Sequence, residues 1–332
     1  MNSMVLSRFK EKVLPSQNKG QLSTLIIFLS LVLIMYLLTD VFHVNNDSGK
    51  SLFLTESNIK NVLNQVSINA VIAFGMTLVI LLNGIDLSVG SIVAVAGVLA
   101  SIFFKTFHMP LAVSYILVLF FGALIGGANG ILVTRFKLPP FIVTLATMIV
   151  FRGLAFIISD GKAMFIPEPE FKIIGNSFIG VFPISVIVML VCFFSVHFML
   201  SRTTLGRQMY LTGGNEESAL FSGVNIKRVR LIAYSLIGLL SSVSGILLAS
   251  RLGSGSPNVG VQYELDAIAA VVIGGTSFSG GIGTIVGTLI GALILGIISN
   301  GMNMLGITPY MQFVVKGLVI LGAVILDKVS NR

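Results

Sequence analysis

Long apolar runs separated by short polar segments fill this chain from residue 22 to residue 326. A helix of about 20 apolar residues matches the hydrocarbon thickness of a bilayer. The pattern predicts such helices at about 22–39, 66–83, 87–104, 111–133, 141–158, 179–200, 231–250, 262–278, 283–303 and 309–326. The stretches around 66–104 and 262–303 are interrupted by glycine and serine, which predicts broken helices there. The expected fold is therefore all-α: a polytopic transmembrane bundle of about ten helices, some of them broken. Residues 1–20 read as a basic leader, and 21–332 as a single transmembrane domain. No small-residue cleavage site follows the first run, whose neighbours are Tyr36, Leu37, Leu38, Thr39 and Asp40. It reads as a membrane helix and not as a cleaved signal.

Charge sets the orientation. With the N-terminus inside, the inner loops hold Arg135, Lys137, Arg202, Arg207, Lys227, Arg228 and Arg230, and the tail holds Lys328 and Arg332. The outer loops hold fewer cations, diluted by Asp47, Asp160, Glu168 and Glu170. The Lys/Arg bias places both termini in the cytoplasm. Of the outer segments, 41–65 reads as a loop leading into an amphipathic stretch with Thr55 or Ser57 as N-cap. Residues 159–178, with Pro167 and Pro169, read as irregular with short helical pieces.

Composition agrees with a membrane protein and narrows its class. Of 332 residues, 55% are hydrophobic and 10% charged, against roughly 25% charged in soluble domains. The net charge of +8 is spread over loops between apolar runs, so it does not point to nucleic acid. The single cysteine, Cys192, lies in an apolar run, and His43, His108 and His197 are scattered, so no metal cluster is expected. The chain has no Gly-x-x-x-x-Gly-Lys-[Ser/Thr] motif, and no arrangement that suggests an enzyme or a bound cofactor.

The polar interruptions are the candidate chemistry. Asn83-Gly-Ile-Asp86-Leu-Ser88-Val-Gly90 sets a carboxylate and hydroxyls between two apolar runs. It is open to two readings: a surface loop with Asp86 capping the next helix, or a helix break beside a translocation route. Gly274-Gly-Thr276-Ser277-Phe-Ser279-Gly-Gly281 echoes it, with Gly84, Ser88 and Gly90 matching Gly275, Ser279 and Gly281 at one offset. That repetition points to a duplicated architecture or to chance among glycine-rich helices. Small residues four apart, as in Gly122-Ala-Leu-Ile-Gly126 and Gly287-Thr-Leu-Ile-Gly291, predict close helix packing. Arg152, Glu264, Asp266 and Lys316 fall within or beside spans, as helix-locking pairs or as functional groups.

Only the loop 201–230 has real length on the inside. Gly213 and Gly214 break the preceding structure there, Asn215 is an N-cap, and Glu216 and Glu217 suit the positive end of a helix. Ala219, Leu220 and Phe221 give an apolar patch, and Gly223 ends the helix. The segment reads as a docking element, or as a connector on the membrane surface.

Four stretches then carry a resemblance that runs from about residue 55 to the end. They are Gly75-Met-Thr-Leu-Val with Gly84-Ile-Asp-Leu-Ser-Val-Gly90; Gly206-Arg-Gln with Gly213-Gly-Asn215 and Ser222-Gly-Val-Asn225; Tyr263-Glu-Leu-Asp-Ala-Ile-Ala-Ala270; and Gly274-Gly-Thr-Ser-Phe-Ser-Gly-Gly281. Together they resemble the permease subunits of bacterial monosaccharide ABC importers, of the branched-chain-amino-acid-permease-like superfamily. The resemblance implies a multi-pass protein of the bacterial inner membrane that imports a sugar by alternating access. It also implies a second permease subunit, identical or not, a periplasmic sugar-binding protein and two cytoplasmic ATP-binding subunits. The loop from Gly213 to Gly223 matches the part that docks the ATPase, which hydrolyses ATP in place of this chain. Ile68-Asn-Ala, Gly75-Met-Thr-Leu-Val-Ile and Gly287-Thr-Leu-Ile-Gly-Ala-Leu-Ile-Leu-Gly look like ribose-type permeases, whereas Thr276-Ser-Phe-Ser-Gly-Gly with Gly306-Ile-Thr-Pro-Tyr looks galactoside-type. The expected sugar is ribose, with galactose or methyl-galactoside, xylose or another small solute as the alternative. An ion-coupled secondary transporter or a channel is the competing class. The coupling residues expected are Gly213, Gly214, Asn215, Glu216, Glu217, Phe221 and Gly223. The pathway residues expected are Asn83, Asp86, Ser88, Thr276, Ser277 and Ser279, since a neutral sugar needs hydrogen-bonding groups along a polar route.

Overall fold

The computed structural model describes residues 24–41, 52–180 and 182–330. The expected leader at 1–20 lies outside the described residues. The rest is a helical bundle with two small two-stranded ribbons at one end. Its helices are α1 (Thr24–Asp40), α2 (Glu56–Ile80), α3 (Val89–Ser101), α4 (Leu111–Arg135), α5 (Pro140–Ile158), α6 (Pro169–Asn176) and α7 (Ile184–Arg202). There follow α8 (Thr204–Gly214), α9 (Glu216–Phe221), α10 (Ile226–Leu252), α11 (Tyr263–Ile273), α12 (Ile285–Met304) and α13 (Pro309–Ser330). The last turn of α1 and the continuation of α3 through Ile102–Thr106 are π-helical.

Among the described residues, seven helices are long and apolar enough to cross a membrane, and α1 is a shorter apolar one. Each run expected from the sequence carries a helix, with two corrections. The helix expected at 66–83 begins at Glu56. Thr55 caps it by accepting from Asn58 N–H at 3.3 Å, and a Glu56–Lys60 ion pair one turn apart supports the first turn. The polar stretch before residue 66 is thus the outer end of a 25-residue helix. The span expected at 262–278 is helical only over the 11 residues of α11. At 1.5 Å per residue that is about 16 Å, too short for a core of ~30 Å.

Glycines decide which helices form the centre. A Cβ at Gly126 would run into the Tyr234 backbone carbonyl of α10, and one at Gly122 into Ser242, so α4 lies backbone to backbone on α10. Gly75 of α2 meets Ile237 of α10 in the same way, and Gly291 of α12 meets the Ala270 carbonyl of α11. In consequence α2, α3, α10 and α12 are mostly enclosed, while α5 and α7 present apolar side chains outward. The most apolar window of α2 is 83% buried and that of α5 only 17%. Exposed Phe141, Ile149 and Ile157 on α5 are what a lipid-facing helix carries.

At the end opposite α8 and α9, the short helix α6 caps α10. Ser250 Oγ accepts from Gly175 N–H at 2.8 Å and donates to the Phe171 carbonyl at 2.6 Å. Nearby, Arg152 of α5 donates to the Pro257 and Val259 carbonyls at 2.8 and 2.6 Å. It thereby pins the segment before α11. Lys316 of α13 pairs with Asp266 of α11 at 2.9 Å, both side chains largely buried. Of the four charged residues flagged in the sequence, Arg152, Asp266 and Lys316 therefore hold α11 and its leading segment in place.

The close glycine contacts yield a stability prediction. Gly126→Ala is expected to lower stability by about 1–3 kcal/mol through overpacking. Gly153→Ala, where a Cβ meets nothing within 4 Å, is expected to be neutral or to stabilise by about 0.5–1 kcal/mol. Thermal unfolding in detergent measures both, and equal effects would contradict the assigned α4–α10 interface.

Candidate functional site

Two irregular linkers and one helix end meet at a single place. The first linker, 81–88, joins α2 to α3, and the second, 274–284, joins α11 to α12. The first is enclosed by the bundle: Leu81, Leu82, Asp86 and Ser88 are buried. A Cβ at Gly84 would stand 2.6 Å from the hydroxyl of Tyr234. Tyr234 lies eight residues past the start of α10, about 12 Å along its axis. Non-helical backbone at such depth survives only where protein supplies its partners. Asp86 itself is fully enclosed by protein.

The partners come from within. Asp86 Oδ1 accepts from Ser88 N–H at 2.8 Å and from Ser88 Oγ at 2.5 Å. Asn129 of α4 donates to Ser88 Oγ at 3.0 Å and accepts from Thr147 of α5 at 2.6 Å. Thr144 of α5 donates to the Ile85 carbonyl at 3.2 Å. Asp86 thus folds its own linker; Ser88, the N-cap of α3, makes no side-chain capping bond. Asp86 Oδ2 and the Tyr234 hydroxyl are buried with no hydrogen-bond partner. Asn129, Thr144 and Thr147 were not singled out in the sequence. Their only signal was a polar side chain inside an apolar run.

The second linker docks on the first. Gly281 N–H donates to the Leu81 carbonyl at 3.0 Å, and Thr77 and Thr288 share a hydroxyl–hydroxyl bond of 2.7 Å between α2 and α12. The two stretches that echo one another in sequence lie side by side. Thr276 and Ser277 are buried, whereas Ser279 and Asn83 are exposed. Gly275, Gly280 and Gly281 take positive φ of 85°, 74° and 71°, which only glycine adopts without strain.

The loop 201–230 supplies the third part. Thr203 caps α8 by accepting from Gly206 N–H at 3.2 Å. The helix runs through Gly213 to Gly214, so the glycines end it where the sequence led us to expect a break. Asn215 then caps α9, accepting from Ser218 N–H at 2.8 Å, with Glu216 and Glu217 in its first turn. Gly223, at φ 78°, terminates it. A Cβ at Gly213 would collide with the Leu81 carbonyl and reach 2.7 Å from Gly281 N. Asn83, at φ 59°, donates to the Gly213 carbonyl at 3.0 Å, and Tyr210 donates to the Gly283 carbonyl at 2.7 Å. The root of α8 is therefore fastened to both linkers. The same end leads through Asn215 into α9, where Leu220 is 61% and Phe221 83% exposed.

This arrangement brings the C-terminal end of α8, two helix breaks and the exposed apolar surface of α9 together. Residues 58–324 match the family described as branched-chain amino acid transport system / permease component. The chain belongs to that permease family. It is 46% identical to the ribose import permease protein RbsC of Bacillus subtilis (strain 168), with 89% of this chain and 90% of the relative covered. Against the protein of the same name from Escherichia coli (strain K12) it is 46% identical, covering 83% and 87%. The xylose transport system permease protein XylH of that strain is 34% identical, covering 84% and 87%. No solved structure matches the chain.

The buried network around Asn129 carries its own test. Asn129→Ala removes one bond each from Ser88 and Thr147, which keep Asp86 and the Val143 carbonyl as partners, and is expected to cost about 0.5–1.5 kcal/mol per bond lost. Because all three share one network, a double-mutant cycle with Thr147→Ala should show coupling of at least about 0.5 kcal/mol. Strict additivity in unfolding measurements would contradict the network.

Proposed function

We propose that this chain is the membrane-spanning subunit of an ATP-driven importer that brings ribose into the cytoplasm by alternating access. The substrate rests on the relatives named as ribose import permeases, at 41–46% identity. Xylose is the second reading, carried by the relative named for xylose transport. The chain works in the cytoplasmic membrane as a non-catalytic subunit. ATP is hydrolysed by two separate cytoplasmic subunits, solute is delivered by a periplasmic sugar-binding protein, and a second permease subunit completes the pore. In this plan 201–230 is a cytoplasmic coupling loop within a single transmembrane domain at 21–332, facing the side that the Lys/Arg bias makes cytoplasmic.

One observation carries the proposal: a short helix outside the spans exposes Leu220 and Phe221, while the Gly213–Gly214 joint before it touches both linkers. Exposed large apolar side chains away from lipid mark a protein-binding surface. In this reading Gly213 and Gly214 form the joint, and Asn215, Glu216, Glu217, Phe221 and Gly223 form the ATPase-facing surface. Closure of the ATPase pair moves α9, α8 follows, and the linkers shift together. The sugar route passes Asn83, Asp86, Ser88, Thr276, Ser277 and Ser279. Of these, only Asn83 and Ser279 are exposed here, so the route opens by rearrangement of the linkers, as a bistable bundle allows.

Purification in mild detergent with native partners tests this. An ATP-hydrolysing subunit should accompany the chain and be lost from the Glu216→Ala, Glu217→Ala, Phe221→Ala triple variant. Equal retention by both forms would remove the docking assignment. Ribose uptake by the chain alone in vesicles would remove the importer itself in favour of a secondary transporter. For the route, Asp86→Ala with Ser277→Ala is expected to lower ribose uptake at least tenfold; unchanged uptake and assembly would contradict it.

A further inference from the structure

A cavity of about 820 Å³ opens beside α9. Leu220 and Glu216 of α9 form one wall, and the α4–α5 elbow, with Lys137, Leu138 and Pro140, forms the other. Its floor is the first linker, through Leu82 and Asn83. Lys227 and Arg230 of α10 also line it. Arg230 is paired with Glu216 at 2.6 Å, whereas neither Lys137 nor Lys227 has an ion-pair partner among the described residues. Three cations and one carboxylate leave a surplus of two positive charges over walls that are otherwise largely apolar.

The elbow is a stiff wall. Lys137 is held at φ 53°, a conformation uncommon for residues with a side chain. Pro139 and Pro140 follow it and fix the backbone into the start of α5. Leu138 is 42% exposed, across the cavity from Leu220. The cavity is thus a preformed slot with basic groups, an apolar lining and a floor belonging to the linker that grips α8.

We propose that this slot is a second docking site for the ATP-binding subunit, filled by a segment that carries a carboxylate beside an apolar side chain. The inference rests on the docking of that subunit at α9 and extends the contact to the elbow. Two arguments select this occupant. The slot shares its wall with the exposed apolar surface of α9, so a protein seated on Leu220 covers its mouth. The surplus positive charge calls for an acidic partner. Because the floor is Leu82 and Asn83, such a segment touches the linker directly, and coupling does not depend on α8 alone.

The experiment uses the assembled transporter purified with its native ATPase. The Lys137→Glu, Lys227→Glu double variant is expected to retain at least tenfold less ATPase at equal protein, while Lys137→Arg with Lys227→Arg retains it fully. Thermal unfolding of the permease in detergent confirms that both variants are folded; if Glu disrupts folding, Lys137→Gln with Lys227→Gln takes its place, with a smaller loss expected. Unchanged retention in the folded charge-reversed variant overturns the second site, and the α9 triple variant read alongside shows whether docking at α9 still stands. If the reversal instead strips co-purified anionic phospholipid and leaves the ATPase bound, the slot is a lipid site and the proposal is overturned. If the native chain binds no ATPase, both the slot and the α9 docking reading fail.

Discussion

Backbone that leaves the helix inside a membrane protein must find every hydrogen-bond partner without water. Residues 81–88 and 274–284 meet that constraint in two ways, and much of the bundle is arranged around it. The first linker is satisfied by side chains: Asp86 turns back on Ser88, and Asn129 and Thr144 reach in from α4 and α5. The second is satisfied largely by main chain, as where Gly281 N–H donates to the Leu81 carbonyl, with the Tyr210 hydroxyl donating to the Gly283 carbonyl. Such close approach needs glycine on both sides, and Gly213, Gly280 and Gly281 provide it.

The same constraint explains the division of labour among helices. Those that hold the linkers, α2, α3, α10 and α12, are largely enclosed, and their small residues bring the backbones into contact. Burial of polar side chains is tolerated here because most of them are paired. Asp86 Oδ2 and the Tyr234 hydroxyl are the unpaired exceptions beside the first linker. The outer helices α5 and α7 bury little and present apolar side chains outward.

Much of this was legible in the sequence. Apolar run length located the helices, and the glycine- and serine-rich stretches located both breaks. Thr55, Asn215 and Gly223 announced the ends of their helices because capping chemistry is local. What was hidden is non-local. Nothing in the spacing says that Gly213 packs on Leu81 and Gly281, since that contact joins segments more than sixty residues apart. The end of α11 was signalled by Gly274-Gly275-Thr276-Ser277 directly after Ile273, and the expected span at 262–278 ran past that signal; the helix stops there, with Gly275 at positive φ. Asn129 and Thr147 could not be separated from other polar residues in apolar runs until the fold brought them to Ser88.

The central claim is that α8, α9 and the second linker move as one body when the transporter cycles. Spin labels at Ser218 on α9 and Ser279 on the second linker, both exposed, measure it by pulsed distance measurements within one subunit of the assembled complex. A third label at Gly153 on α5 serves as the outer reference. The Ser218–Ser279 distance should stay constant between nucleotide-free and ATP-bound states while the Ser218–Gly153 distance changes. A Ser218–Ser279 distance that changes with nucleotide while Ser279 stays fixed to α5 would show that the coupling helices slide past the linkers, and the account would fail.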